Sequence, residues 1–128
     1  MPKGFEVAGT DQLLQVIYEA ILRKKGMQII DIDLTLLNTS ICNHYVICHA
    51  GSSTQVRAIA DAVEDDVTEL LHVRSLHKEG MEMANWVLID FPEVMVHIFQ
   101  EQHRRFYDLE GLWADGRVIE INDFQQRS

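Results

Sequence analysis

The sequence predicts a single α/β domain, a mixed β-sheet flanked by helices. Three observations carry this reading. Two stretches with helical periodicity, residues 10–25 and 53–72, alternate with apolar β-type runs at 27–34, 44–49, 85–91 and 94–100. The last two runs are joined by little more than Pro92-Glu93, a link so short that they must be antiparallel neighbours. Hydrophobic residues make up 47% of 128 residues, enough for a core without disulfide or metal support.

Each element has its own justification. In "TDQLLQVIYEAILRKK", Leu13, Leu14, Ile17, Ala20 and Ile21 share one helical side. Thr10 suits the N-cap, Asp11 the first turn, Arg23-Lys24-Lys25 the negative end of the dipole, and Gly26 the stop. "MQIIDIDL" then reads as a strand with aspartates at 31 and 33, and "HYVICH" as a second one. "GSS" at 51–53 is a turn able to cap the next helix. That helix lines up Val56, Ile59, Ala60, Val63, Val67, Leu70 and Leu71, leaving Arg57, Asp61, Glu64, Asp65 and Glu69 on a solvated face. Residues 73–84 are polar and irregular, with Gly80 as a turn. After the strands "NWVLIDF" and "VMVHIFQ" comes "RRFYDLEGLW", a helix starting near Gln102. Its stripe of Phe106, Leu109 and Trp113 reads as core, with Tyr107 and Glu110 on a neighbouring line. "RVIEI" at 117–121 is a further short strand.

Composition excludes several classes. No apolar run approaches the roughly 20 residues of a membrane span, and the first twelve residues lack the apolar segment of a secretory signal. The reading is of a soluble cytoplasmic protein. Cys42 and Cys48, if on one extended segment, lie roughly 20 Å apart, too far for a disulfide, and read as buried or half-buried free thiols. The net charge of −9, from 20 acidic and 11 basic residues, argues against a nonspecific nucleic-acid binder. It suits a basic protein partner, or simply solubility.

Candidate chemistry is sparse. Asp31 and Asp33 fall on one side of a strand and could hold Mg²⁺ for nucleotidyl or phosphoryl transfer; otherwise both lie at the exposed end of the strand, or one accepts backbone hydrogen bonds. No Gly-rich phosphate cradle, G-x-S-x-G elbow, H-E-x-x-H or C-x-x-C pattern accompanies them. His97, between apolar neighbours in "MVHIF", reads as a core or face histidine bonded to a neighbour. Nothing calls for a metal or cofactor. What stands out is a concentration of aromatic residues beside acids in the last third, and Trp and Tyr are side chains that make interface hot spots.

Several stretches together match a known family. "IIDID", "SICNHYVIC" leading into "SSTQVRAIAD", Glu79-Gly80, "WVLIDFPEVMVHIF" and "RRFYDLEGLW" appear in order and at characteristic spacing. In these the chain resembles the ribosomal silencing factors, the Iojap-related proteins, over residues 10–114, with residues 1–9 as an extension and 115–128 as a tail. The resemblance implies a nucleotidyltransferase-like fold without transferase activity. It implies binding to the large ribosomal subunit through ribosomal protein fourteen, on the face where the small subunit docks. Occupying that face would block subunit joining and repress translation when nutrients are scarce, by steric exclusion, without catalytic residues, metal or cofactor. Some family members are homodimers, and the sequence leaves that open. The departures from the family pattern are Asn43-His44-Tyr45, Ala50, Thr54 and Pro92, the last of which must change the hairpin's turn type. The contact residues assigned on this resemblance are Trp86, Asp90, His97, Phe99, Tyr107, Asp108 and Glu110, on the hairpin and final helix. The alternative is a Mg-dependent nucleotidyl- or phosphoryl-transferase using Asp31 and Asp33.

Overall fold

The computed structural model describes residues 9–37, 42–107 and 116–121. Among the described residues nine elements follow one another: α1 (Thr10–Arg23), β1 (Met27–Asp33), β2 (His44–Ala50), α2 (Ser53–Leu71), β3 (His77–Glu79), β4 (Trp86–Phe91), β5 (Val94–Gln100), α3 (Glu101–Tyr107) and β6 (Arg117–Ile121). The six strands form one sheet in the order β3-β4-β5-β2-β1-β6. All pairings are antiparallel except the central β2–β5 pair, which is parallel, so the sheet is mixed as expected.

The strands' two-residue period divides the side chains between two cores. On one side Val46, Cys48, Val87, Ile89, Val96 and Ile98 pack with Leu13, Ile17 and Ile21 of α1 and Val56, Ile59, Val63 and Val67 of α2. The five expected positions of α1 are all buried there. Each such Leu, Ile or Val contributes roughly 1.5–3 kcal/mol by leaving water. On the opposite side a smaller cluster gathers Ile30, Ile32, Leu34, Tyr45, Ile47 and Phe99, with Trp86 and Met95 half-buried against it.

Local details depart from the sequence reading in informative ways. Gly9, not Thr10, caps α1, and no side chain closes the cap. Thr10 instead donates its hydroxyl to Glu93 Oε1 at 2.5 Å, tying the helix start to the β4–β5 hairpin. The helix ends at Arg23, and the left-handed residue is Lys25 (φ 66°) rather than Gly26. Gly26 is needed for another reason: a Cβ there would collide with the Ile21 side chain. Ser52 caps α2 as expected, accepting from Gln55 N–H at 3.1 Å.

The outer face of α2 does more than meet solvent. Arg57 donates to the carbonyls of Met81 (2.9 Å) and Glu82 (2.5 Å), and Glu64 accepts from Ser75 and Lys78, each at 2.6 Å. The stretch read as irregular is thereby held against the helix, and within it β3 pairs with β4. Gly80 takes a φ of 88°, and a Cβ there would run into the Trp86 carbonyl, so both conformation and space demand glycine. In the β4–β5 hairpin Pro92 is followed by Glu93 at φ 68°, the combination of a type II turn.

Candidate docking face

The β4–β5 ladder sorts the sequence-predicted contact residues. Trp86 lies opposite Phe99, Leu88 opposite His97, and Asp90 opposite Met95. All six point away from α1 and α2, because Val87, Ile89 and Phe91 fill the helix side. Strand β4 alternates accordingly: Val87, Ile89 and Phe91 are buried, while Trp86, Leu88 and Asp90 are half-exposed. With Met95 they form a strip near the sheet's edge. Two of the predicted residues sit beneath it: Phe99 is fully buried and His97 is 4% exposed. Their present role is support. Trp86 stacks on Phe99 with ring centroids 5.0 Å apart, and its indole N–H donates to His97 Nδ1 at 3.1 Å. Burial pushes the His97 pKa down to about 4, so the ring is neutral near pH 7.

Beyond Asp90 the strip is bordered by β3, where His77 and Glu79 flank the same side and meet at 2.6 Å. Among the described residues, this side of β3, β4 and β5 carries two carboxylates and no lysine or arginine. Lys78 points to the other side and is engaged by Glu64. Sequence reasoning overlooked Leu88 and Met95 as members. Their signal was the alternation of β4 and the register across the two-residue turn.

Helix α3 follows β5 directly and packs on β5 and β2. Its anchor, which the sequence did not reveal, is Arg104. This residue is buried, donating to the carbonyl of Gln28 at 2.7 Å and to His49 Nδ1 at 3.0 Å. Gln28 has a φ of 48° where the β1–β2 register shifts, and that kink turns its carbonyl towards Arg104. Tyr107 is the last residue of α3; Asp108, Glu110 and the stripe residues Leu109 and Trp113 lie outside the described residues.

The paired aspartates sit elsewhere, on the helix side of β1. Asp31 is buried; its Oδ2 accepts the Tyr18 hydroxyl and its Oδ1 meets His44 Nδ1 at 2.8 Å. That contact raises the pKa of His44, against the effect of burial. Asp33 accepts the Thr35 amide (2.9 Å) and hydroxyl (2.6 Å) on Oδ1 and Arg117 on Oδ2 at 3.0 Å, which hold its pKa at about 2. Every carboxylate oxygen of the pair is thus engaged by a protein donor, an arrangement that ties β1 to α1, β2 and β6. Among the described residues no group of three or more His, Cys, Asp or Glu side chains could hold a metal ion. Cys42 and Cys48 are free and buried, with thiol pKa values raised to about 11 and about 12, chiefly by desolvation. No helix of the described residues is long and apolar enough to cross a membrane.

Comparison with known proteins agrees with this architecture. The family model described as "Ribosomal silencing factor during starvation" matches residues 7–128. The ribosomal silencing factor RsfS of Halalkalibacterium halodurans is 36% identical over 111 residues, covering 86% of this chain and 92% of its own. The chloroplastic Iojap protein of Zea mays is 31% identical over 83 residues, covering 65% of this chain and 36% of its own. A crystal structure of a Chromobacterium violaceum protein superposes with a TM-score of 0.79 at 32% identity, covering 84% of this chain and 88% of that one. A Bacillus halodurans structure gives a TM-score of 0.76 at 34% identity, covering 88% and 100%. With a family model spanning nearly its whole length, a mixed six-stranded sheet shared with solved relatives, and the hairpin that carries its most distinctive motif, the chain belongs to the ribosomal silencing factor family.

Proposed function

We propose that this protein binds the large ribosomal subunit through ribosomal protein fourteen and, by covering that surface, keeps the small subunit from joining, repressing translation in the cytoplasm when nutrients are scarce. The observation that supports this most is the strip of Trp86, Leu88, Asp90 and Met95: half-exposed apolar side chains with an acidic border, on the sheet side away from the long helices. An aromatic-aliphatic centre with a charged rim is the anatomy of a protein interface. The acidic border and the net charge of −9 favour a basic protein surface over RNA phosphate. Tyr107, Asp108 and Glu110 extend the assigned contact set beyond the hairpin, and Phe99 and His97 support it from below. The reading involves no chemical step, and the engagement of all four oxygens of Asp31 and Asp33 gives no support to a Mg-dependent transferase.

The test is sedimentation of purified large and small subunits with added protein. Co-migration with the large subunit and a smaller joined fraction are expected. Trp86→Ala combined with Asp90→Lys should remove both effects. Failure of the native protein to co-migrate at low salt would refute the reading.

A further inference from the structure

His97 carries an unresolved hydrogen bond. Its Nε2 is buried and has no partner among the described residues, while Nδ1 accepts the Trp86 indole N–H. A neutral imidazole that accepts at Nδ1 holds its proton on Nε2, so the orphan is a donor. A buried donor without an acceptor costs free energy that an apolar residue of similar shape would avoid. The free protein nonetheless keeps a histidine here, directly opposite Leu88 and beneath the half-exposed strip. Its ring is flanked by Tyr45 (centroids 4.9 Å apart), Trp86 (5.9 Å) and Phe99 (6.4 Å), of which Trp86 is half-exposed. The neighbouring acids of the border, Asp90 and Glu79, disfavour an anionic acceptor at this point. A neutral oxygen, such as a backbone carbonyl of a basic protein, matches a neutral N–H among aromatic rings.

We infer that His97 is the buried recognition donor of the docking face: when the partner protein seats, the rings above it re-pack and Nε2–H donates to a carbonyl oxygen of that partner. This rests on the docking reading above and adds to it a specific atom and a specific acceptor class. Trp86 is then both a contact and a positioning residue, since its N–H on Nδ1 keeps the proton on the nitrogen that faces the partner.

The experiment measures affinity for purified large subunits together with thermal unfolding of the free protein. His97→Phe removes the donor at similar volume; it should melt at a higher temperature than the native protein yet bind about tenfold more weakly. His97→Gln retains a side-chain N–H and should recover part of that loss. Nitrogen NMR of histidine-labelled protein should show the Nε2–H form of His97 in the native chain and a larger share of the Nδ1–H form in Trp86→Phe. If His97→Phe binds as the native protein does, or if the native ring carries its proton on Nδ1, the inference is wrong while docking itself stands. If the native protein does not bind the large subunit, both fall. Should His97→Phe not fold, the comparison of His97→Gln with Trp86→Phe and the NMR tautomer decide.

Discussion

Asp31 couples three elements through two oxygens, linking Tyr18 of α1 and His44 of β2 to its own strand. Removing its carboxylate strands a tyrosine hydroxyl and a histidine in a part-buried site. Asp31→Ala should therefore lose about 2–3 kcal/mol of stability, seen as a lower urea midpoint. The histidines set the pH profile from opposite directions. His44 has a raised pKa, so its contribution is complete below the unfolded value of 6.5 and is lost as pH rises through the higher folded value. His97 is the reverse: the unfolded chain takes up a proton near pH 6.5 that the folded ring refuses until about 4, so stability falls as pH drops through that window. Asp33, held at about 2 against an unfolded 3.8, withdraws its contribution only at still lower pH. The urea midpoint should peak near pH 6.5, and His97→Phe should flatten the decline from 6.5 to 4; an unchanged acid limb in that variant would contradict the assignment. The sequence made both aspartates visible as same-face neighbours on a strand. It could not show their partners, because Tyr18, His44 and Arg117 reach them only after three other elements assemble.

Among the elements, the segment between α2 and β4 was the least legible. "SLHKEG" is polar, and its three-residue strand is exposed throughout, so no alternation marks it; pairing with β4 and the grip of Arg57 and Glu64 create it. Gly80 matters here for a reason the motif alone did not give, the collision that a Cβ would make with the Trp86 carbonyl, at a left-handed φ. Gly80→Ala should cost more than 1 kcal/mol, on the order of the usual strain at such a position, and should weaken large-subunit binding by displacing the start of β4. Normal affinity in a folded Gly80→Ala protein would show that this turn does not position the docking strip. By contrast the long helices were plain in the sequence, since a sustained stripe against polar neighbours leaves few alternatives. Their ends were less so: Thr10 resembles a cap by type but is used across the molecule by Glu93. Pro92 signalled a changed turn, and the structure supplies the consequence, a glutamate held left-handed and tied by its carbonyl to Asn43 and His44.

For the molecule as a whole, the proposed docking of an acidic protein on a basic one should depend on ionic strength. Raising salt from about 50 to about 300 mM shortens the screening length to well under 10 Å and should slow association and lower affinity for the large subunit. An affinity flat across that range would mean that the apolar strip alone carries binding. The overall α/β architecture followed from the order of periodic segments, but the strand order did not, because the sequence fixes only the β4–β5 hairpin and leaves the β1–β2 pair, in the other half of the sheet, unassigned. The join between those two halves is the parallel β2–β5 pair, in which His44 lies opposite Val94. That single pairing has a kinetic meaning. Its ladder closes only after α2, β3 and β4 have been laid down, and β6 returns later still to β1 from the far end of the chain. Contacts so remote along the polypeptide carry a large loop-closure cost before they yield any stabilisation, and such topologies fold slowly. A chain emerging from the ribosome cannot complete its central sheet until β5 is clear of the exit tunnel. The half-exposed strip needs Met95 of β5 as well as Trp86 and Leu88 of β4, so on the docking reading proposed above the nascent protein lacks its complete docking face until β5 has emerged.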